Sequence, residues 1–415
     1  MIGSLDPTQK KATVVGAGIS GLLIAYALKK SGYEVEVLES ASEVGGIIHT
    51  LNTPFGMVEK AAHSLLITPE SRTWFKELGI ELEPVNPQSR ARFIYRNGKM
   101  RRIPLRFSEI LKTLFRFFSK PKFPFSPETG SLEDWGESYL GSSATNYLLA
   151  PFIAGIFATS PKNLLTKIAF PKLIPSNAQQ SLYRHFKRRT IGQRPQMMAP
   201  RNGMKSIIDA LQKNLTAEIK LNHSVTELSN TPNLILTVPA PALSKLLGKT
   251  DTASAESLLH VRYAPLITVT CFLKKEAFAK APRGVGVLIP RGEGLRIFGC
   301  LFNSSSFSKR TLNSSHISVT AMYGGTEDPD VLRLTDGELT LLINQELHVL
   351  LKSKFDAVSL EITRRERAIP IYSKELLSAQ ESLQRGFCAR PGRLIFSNFS
   401  KEVSIRGLIN ATLQF

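Results

Sequence analysis

Six residues, Gly16-Ala17-Gly18-Ile19-Ser20-Gly21, follow a β-branched run (Thr13, Val14, Val15) and precede a helix-forming stretch, Leu22 to Lys30. Glycines at this spacing between a strand and a helix can receive the pyrophosphate of a dinucleotide. Gly16 permits the tight turn, Gly18 lets backbone approach phosphate, and Gly21 lets the helix close on the strand. The N–H groups of Ile19 and Ser20 open the helix, where its dipole favours an anion. A second strand, Tyr33 to Leu38, ends at Glu39, 18 residues beyond Gly21, with Ser40 beside it. A carboxylate there can accept hydrogen bonds from a ribose. A glycine turn of purely structural use is the alternative, and the strand, helix and acid in this order argue against it.

A glycine pair, Gly45-Gly46, follows the acid within Glu43-Val44-Gly45-Gly46. It would bring the backbone past the pyrophosphate a second time. This arrangement resembles the two-dinucleotide-binding-domain flavoproteins, which favours FAD over NAD. Further along, the chain resembles the oxygen-dependent protoporphyrinogen oxidase family of the flavin amine oxidase superfamily. The segments that carry the resemblance are Val58 to Leu65 (the family's flavin-facing E-x-G-P-x-S), Arg92 to Lys99, Pro151 to Leu173, Arg201-Asn202-Gly203-Met204, Ala368-Ile369-Pro370-Ile371-Tyr372, and Asn398 to Ile409. Ala61 and Ala62 stand where the family prefers Gly-Pro, Thr159 where it prefers glycine, and the acid of its C-terminal flavin motif is absent.

The resemblance implies oxidation of protoporphyrinogen IX to protoporphyrin IX in tetrapyrrole biosynthesis, with hydride transfer to FAD and reoxidation by molecular oxygen. It implies that Arg92 binds a substrate propionate, that Phe93 and Thr159 line the substrate pocket, and that His63, Ser64, Val403, Ser404 and Ile405 meet the cofactor. No side chain is singled out as catalytic, since the flavin carries the chemistry. No cysteine stands in the C-terminal motif, so FAD is expected to be non-covalent. Three other readings stand beside this one: an amine or carotenoid oxidase of the superfamily, a coproporphyrinogen oxidase, and a non-catalytic flavin- or porphyrin-binding relative.

These residues need a scaffold. The expectation is an α/β and α+β protein, a Rossmann-like flavoprotein with a β-rich substrate domain and a helical, membrane-binding insertion. Residues 1–85, 195–245 and 376–415 are expected to form a discontinuous FAD-binding domain. Residues 86–100 and 246–375 form the substrate domain, with strands at Leu266–Phe272 and His316–Met322 and a helix from Asp336 to Phe355. The Ser-rich Asn303 to Ser308 reads as a loop. Residues 101–194 form the insertion.

Composition narrows the partners. The 415 residues carry 53 Lys and Arg against 34 Asp and Glu, a net charge of +19. Twelve of those charges lie in two windows, Arg101–Lys122 and Arg184–Arg201. In the first, Ile110, Leu111, Leu114, Phe115, Phe117 and Phe118 recur at helical spacing between basic residues. A basic, aromatic-rich amphipathic helix suits an anionic membrane surface. An ordinary helix with its apolar face in the core and its charges in water fits the same pattern. No nucleic-acid module accompanies the charge, so nucleic acid is not expected as a partner. Three scattered cysteines exclude a disulfide framework and fit a reducing compartment. The seven histidines show no metal-ligand spacing. Residues Met1–Lys11 lack a signal-peptide core and no long apolar run occurs, so a cytoplasmic protein, peripheral on the inner face of a membrane, is expected. Oligomeric state is left open, a homodimer included.

Overall fold

The computed structural model describes residues 1–413 apart from 122, 124, 176, 178, 188–193, 229 and 401–403. Near the N-terminus lie strand β1 (Ile2–Ser4), strand β2 (Lys11–Val15), helix α1 (Ile19–Lys30) and strand β3 (Glu34–Leu38). The six-stranded sheet they enter runs β1, Arg393–Ile395, Asn233–Leu236, β2, β3, Ile219–Lys220. All its neighbours are parallel except β1 against Arg393–Ile395. Three distant stretches of chain therefore build one sheet. Its parallel strands are buried on both faces, which is why Asn233–Leu236 has no exposed residue. Leu22, Ile24 and Leu28 of α1 pack with Val14, Val37, Ile207 and Leu394.

A second sheet has seven strands. Its members include β4 (Arg92–Arg96), β5 (Tyr263–Lys274), β6 (Gly286–Leu288), β7 (Gly299–Leu301), β8 (His316–Gly324) and β9 (Ser359–Pro370), in the order β9, β5, β8, β7, β6, β4, Lys99–Arg101. All pairs are antiparallel except β4 with β6. Residues paired across strands share a face. Ile267, Val269, Cys271, Val319 and Ala321 face the helix Asp336–Leu351 through Leu339, Ile343 and Leu347. That helix stops four residues short of Phe355, at Lys352 in the left-handed conformation. The opposite face looks toward the first domain, where Phe55 stacks on Phe272 with centroids 5.7 Å apart. The Ser-rich stretch is not a plain loop: Asn303–Ser306 makes one helical turn, and Ser308–Arg310 a 3-10 turn.

Between β4 and β5 the chain forms short helices, among them α2 (Phe107–Phe118). None of its residues is buried. Phe107 is 76% exposed, Phe115 73%, Phe118 58% and Leu111 52%. The face turned to the protein carries Glu109 and Arg116 together with the half-buried Ile110 and Phe117. Glu109 there receives both terminal nitrogens of Arg96, at 2.7 and 2.9 Å, and Arg116 donates to the Glu137 carbonyl at 2.6 Å. Most of the apolar face therefore lies outside the core, with Phe117 packed against it. No helix among the described residues is long and apolar enough to cross a membrane.

Candidate active site

The glycine turn is held from three sides. The Gly16 N–H donates to Leu38 O at 2.8 Å, and the Thr237 hydroxyl donates to Val15 O and Gly16 O at 2.8 and 3.0 Å. A Cβ on Gly21 would lie 1.8 Å from Gly16 O, so only glycine lets α1 sit this close. A Cβ on Gly18 would meet nothing within 4 Å, so this side of the turn opens onto free space at the start of α1. Gly45 N–H donates to Ala17 O at 2.8 Å, and Gly18 and Gly45 pair as an isolated parallel bridge. The two glycine segments expected at a pyrophosphate are thus side by side, with Ile19 and Ser20 in the first turn of the helix. Glu39 reaches back to them: its carboxylate accepts from Ala17 N–H at 2.6 Å, and from Ala41 N–H and the Ser40 hydroxyl at 2.9 and 3.2 Å. An open glycine cradle at a helix N-terminus, with a carboxylate beside it, fits a dinucleotide.

The segment carrying His63 and Ser64 is fixed by a buried ion pair. Glu59 and Arg310 meet with side chains 1% and 3% exposed. The Glu59 carboxylate also accepts from Met204 N–H at 3.0 Å and the Thr50 hydroxyl at 2.7 Å, while Arg310 donates to His63 O at 3.0 Å. Such a pair offsets its desolvation only when further hydrogen bonds support it, which these three do. Burial, and then the Arg310 charge, push the His63 imidazole down to about 3, so it is neutral at physiological pH. Its Nε2 is buried without a hydrogen-bond partner among the described residues. The sequence reading had named this segment but not Arg310, whose Ser-rich surroundings carry no signal for a buried ion pair.

The residues expected at the substrate lie on two elements, β4 and the turn after the helix Ala150–Phe157. Arg92 is exposed on β4, on the sheet face that looks toward the first domain. Phe93 points the other way and, partly buried, packs against the core over the helix Asp336–Leu351. Thr159 is 1% exposed, and its hydroxyl is held by Thr326 at 2.8 Å and Asn163 at 3.0 Å. It locks the turn after the left-handed Ala158 rather than offering a free group to a ligand. Ser404 caps the C-terminal helix Ile405–Thr412 by accepting from Gly407 N–H at 3.1 Å, and Ile405 packs against the first domain's core. Val403 lies outside the described residues.

With this geometry in view, the comparisons with known proteins agree on the family. The model of the family described as flavin containing amine oxidoreductase matches residues 19–364. Protoporphyrinogen oxidase 2, chloroplastic/mitochondrial, of Arabidopsis thaliana is 25% identical, the match covering 95% of this chain and 91% of the relative. Human protoporphyrinogen oxidase is 23% identical, covering 76% of this chain and 78% of its own. A protoporphyrinogen oxidase candidate from Exiguobacterium sp. 255-15 superposes with a TM-score of 0.79 at 18% identity, covering 99% of this chain and 98% of its own. At that identity the superposition shows shared architecture alone. The chain belongs to the flavin containing amine oxidoreductase family and is a flavin-dependent oxidoreductase.

Proposed function

We propose that the protein oxidises protoporphyrinogen IX to protoporphyrin IX with non-covalently bound FAD, molecular oxygen being the final acceptor. The observation that carries this reading is the likeness to relatives named protoporphyrinogen oxidase, which runs along 95% of the chain for one of them. When bound, the flavin accepts the hydride equivalents taken from the substrate's C–H bonds. The chain's own residues hold and orient. The Gly16–Gly21 turn, Gly45-Gly46 and Glu39 would grip the dinucleotide, and the Glu59–Arg310 pair fixes the backbone around His63. Arg92 would hold a propionate, since a guanidinium can grip a carboxylate through two parallel hydrogen bonds. Cys271, Cys300 and Cys388 are buried, and burial raises all three thiols, which supports a non-covalent cofactor.

The outward apolar face of α2 suits the same reading. Phe107, Leu111, Leu114, Phe115 and Phe118 are exposed, with the basic Arg101, Arg102, Arg106, Lys112 and Lys120 around them. An anionic bilayer offers acyl chains to the first set and headgroups to the second. We therefore place the protein on the cytoplasmic face of a membrane, collecting an apolar substrate there.

The test begins with the visible spectrum of the purified protein, followed by anaerobic addition of protoporphyrinogen. Flavin bleaching with formation of porphyrin is expected. Bleaching by amines alone, or a colourless protein that takes up no FAD, would end this reading. Arg92→Ala should raise KM about tenfold or more and leave FAD binding unchanged.

A further inference from the structure

Two arginines reach from the substrate side of the molecule into the flavin-facing loops, and they differ in what balances them. Arg310 has Glu59. Arg365, on β9, has no carboxylate within ion-pair distance among the described residues, and burial alone lowers its affinity for its proton. Its Nη2 donates to Ile47 O and Lys60 O, both at a long 3.3 Å, and its Nε is buried with no partner among the described residues. Arg365 is half-buried, and a guanidinium whose Nε is shut off from water with neither counter-charge nor acceptor carries an uncompensated desolvation cost. An anion beside it would supply the missing counter-charge.

The location says which anion. Ile47 directly follows Gly45-Gly46, and a Cβ on Gly46 would lie 3.4 Å from Gly18 Cα, at the open side of the glycine turn. Lys60 directly precedes the segment Ala61–Ser64 that Arg310 fixes. Arg365 therefore joins the two loops assigned to the cofactor. A substrate carboxylate fits less well. Arg92, Gly286, Leu301, Thr320, Thr270 and Glu361 pair in succession across the sheet, so Arg92 and Glu361 share a face, as does Arg365 four residues beyond. Five strand spacings of about 4.8 Å then separate Arg92 from β9 by roughly 24 Å. Two carboxylates of one macrocycle do not span that gap. The β9–β5 register also slips immediately after the Arg365–Leu266 pair, a local irregularity that re-aims strand residues.

We propose that Arg365 is a cofactor-binding residue, its guanidinium meeting the negative charge of the bound flavin dinucleotide where the loops at Ile47 and Lys60 converge. The inference rests on the flavin reading above. That charge belongs either to the pyrophosphate or to the flavin ring when reduced, and the two are separable.

The test uses the full-length protein stripped of flavin, titrated with FAD and with ADP, alongside Arg365→Gln and Arg365→Lys. Arg365→Gln should weaken FAD binding roughly tenfold to a hundredfold, with partial recovery in Arg365→Lys. An equal loss for ADP assigns the pyrophosphate. A loss for FAD alone, with a lowered flavin reduction potential, assigns the ring. The melting temperature of the flavin-free Arg365→Gln protein should be unchanged or higher, because an unbalanced charge has been removed. Unchanged FAD affinity with a lower flavin-free melting temperature would make Arg365 a structural strap and overturn the proposal. So would a raised KM for porphyrinogen with FAD affinity unchanged. If the unsubstituted protein takes up no FAD, the functional reading falls with it; if it does and Arg365→Gln binds equally well, only this assignment falls.

Discussion

Helices α1 and α2 each have 12 residues, yet they are mounted differently: α1 is apolar on nearly every side and is enclosed, whereas α2 has one apolar and one polar face. α1 buries Leu22, Leu23, Ile24, Ala25 and Leu28 between the sheet and its neighbours. α2 buries nothing and turns Glu109 and Arg116 inward. The hydrophobic pattern of a helix says which residues share a face. It does not say whether that face meets protein, water or lipid. For α2 the decision lies outside the helix, in Arg96 of β4. That arginine is 6% exposed, donates to Pro104 O at 2.8 Å, and lies 3.6 Å over the ring of Tyr147. A buried guanidinium at this edge accepts only a helix that presents it with a carboxylate.

The contrast can be broken at either end. The largest effect is expected from Gly21→Val, which drives a side chain into Gly16 O and forces α1 off the sheet. It should cost on the order of 4 kcal/mol or more and abolish flavin uptake, as read by denaturant unfolding and by the visible spectrum. Next comes Arg96→Ala, which leaves Glu109 facing the body without its partner. A loss of about 3 kcal/mol is expected, seen as fast amide exchange confined first to residues 101–122. Acid tests the same contact without a mutation. Arg96, then the Arg106 N–H, hold Glu109 down to about 2 from its ordinary 4.5. Its contribution is therefore complete above pH 4.5 and is lost as pH falls toward 2, so α2 should lose exchange protection in that window. Arg96→Ala should narrow this pH window, leaving only the part held by the Arg106 N–H. The smallest effect on stability is expected from Phe107→Asp with Phe115→Asp, within about 0.5 kcal/mol, because neither ring is buried. The same pair should abolish binding to anionic vesicles in a flotation assay.

These differences also mark what the sequence could reveal. The cofactor end is written locally: glycines with fixed mechanical duties, a β-branched strand before them and an acid at a set distance. All of it falls within 34 residues, Thr13 to Gly46, and the structure sets the two glycine segments side by side. The substrate end is written by contacts between residues far apart. Phe93 and Arg92 are adjacent in sequence, and alternation along β4 sends them to opposite faces, which only the sheet register reveals. Thr159 owes its role to Thr326, 167 residues away. At the cofactor end too, one support is non-local: Arg310 and Glu59 are 251 residues apart, and no local spacing connects them. The helix over 107–118 was legible as amphipathic, but its orientation depended on Arg96, which reads as one more basic residue in a basic stretch.

Strand β4 carries a consequence of its own. Arg96, which mounts α2, and Arg92, the proposed propionate holder, lie on one face of the same short strand, four residues apart. At about 3.3 Å per residue that is a rigid length of roughly 13 Å. If α2 lies along a bilayer, this strand acts as a depth gauge: it sets how far the carboxylate end of a substrate stands from the lipid surface while its apolar ring is drawn inward. Lengthening the strand by two residues, which keeps both arginines on one face, would then shift the position of the substrate relative to the membrane.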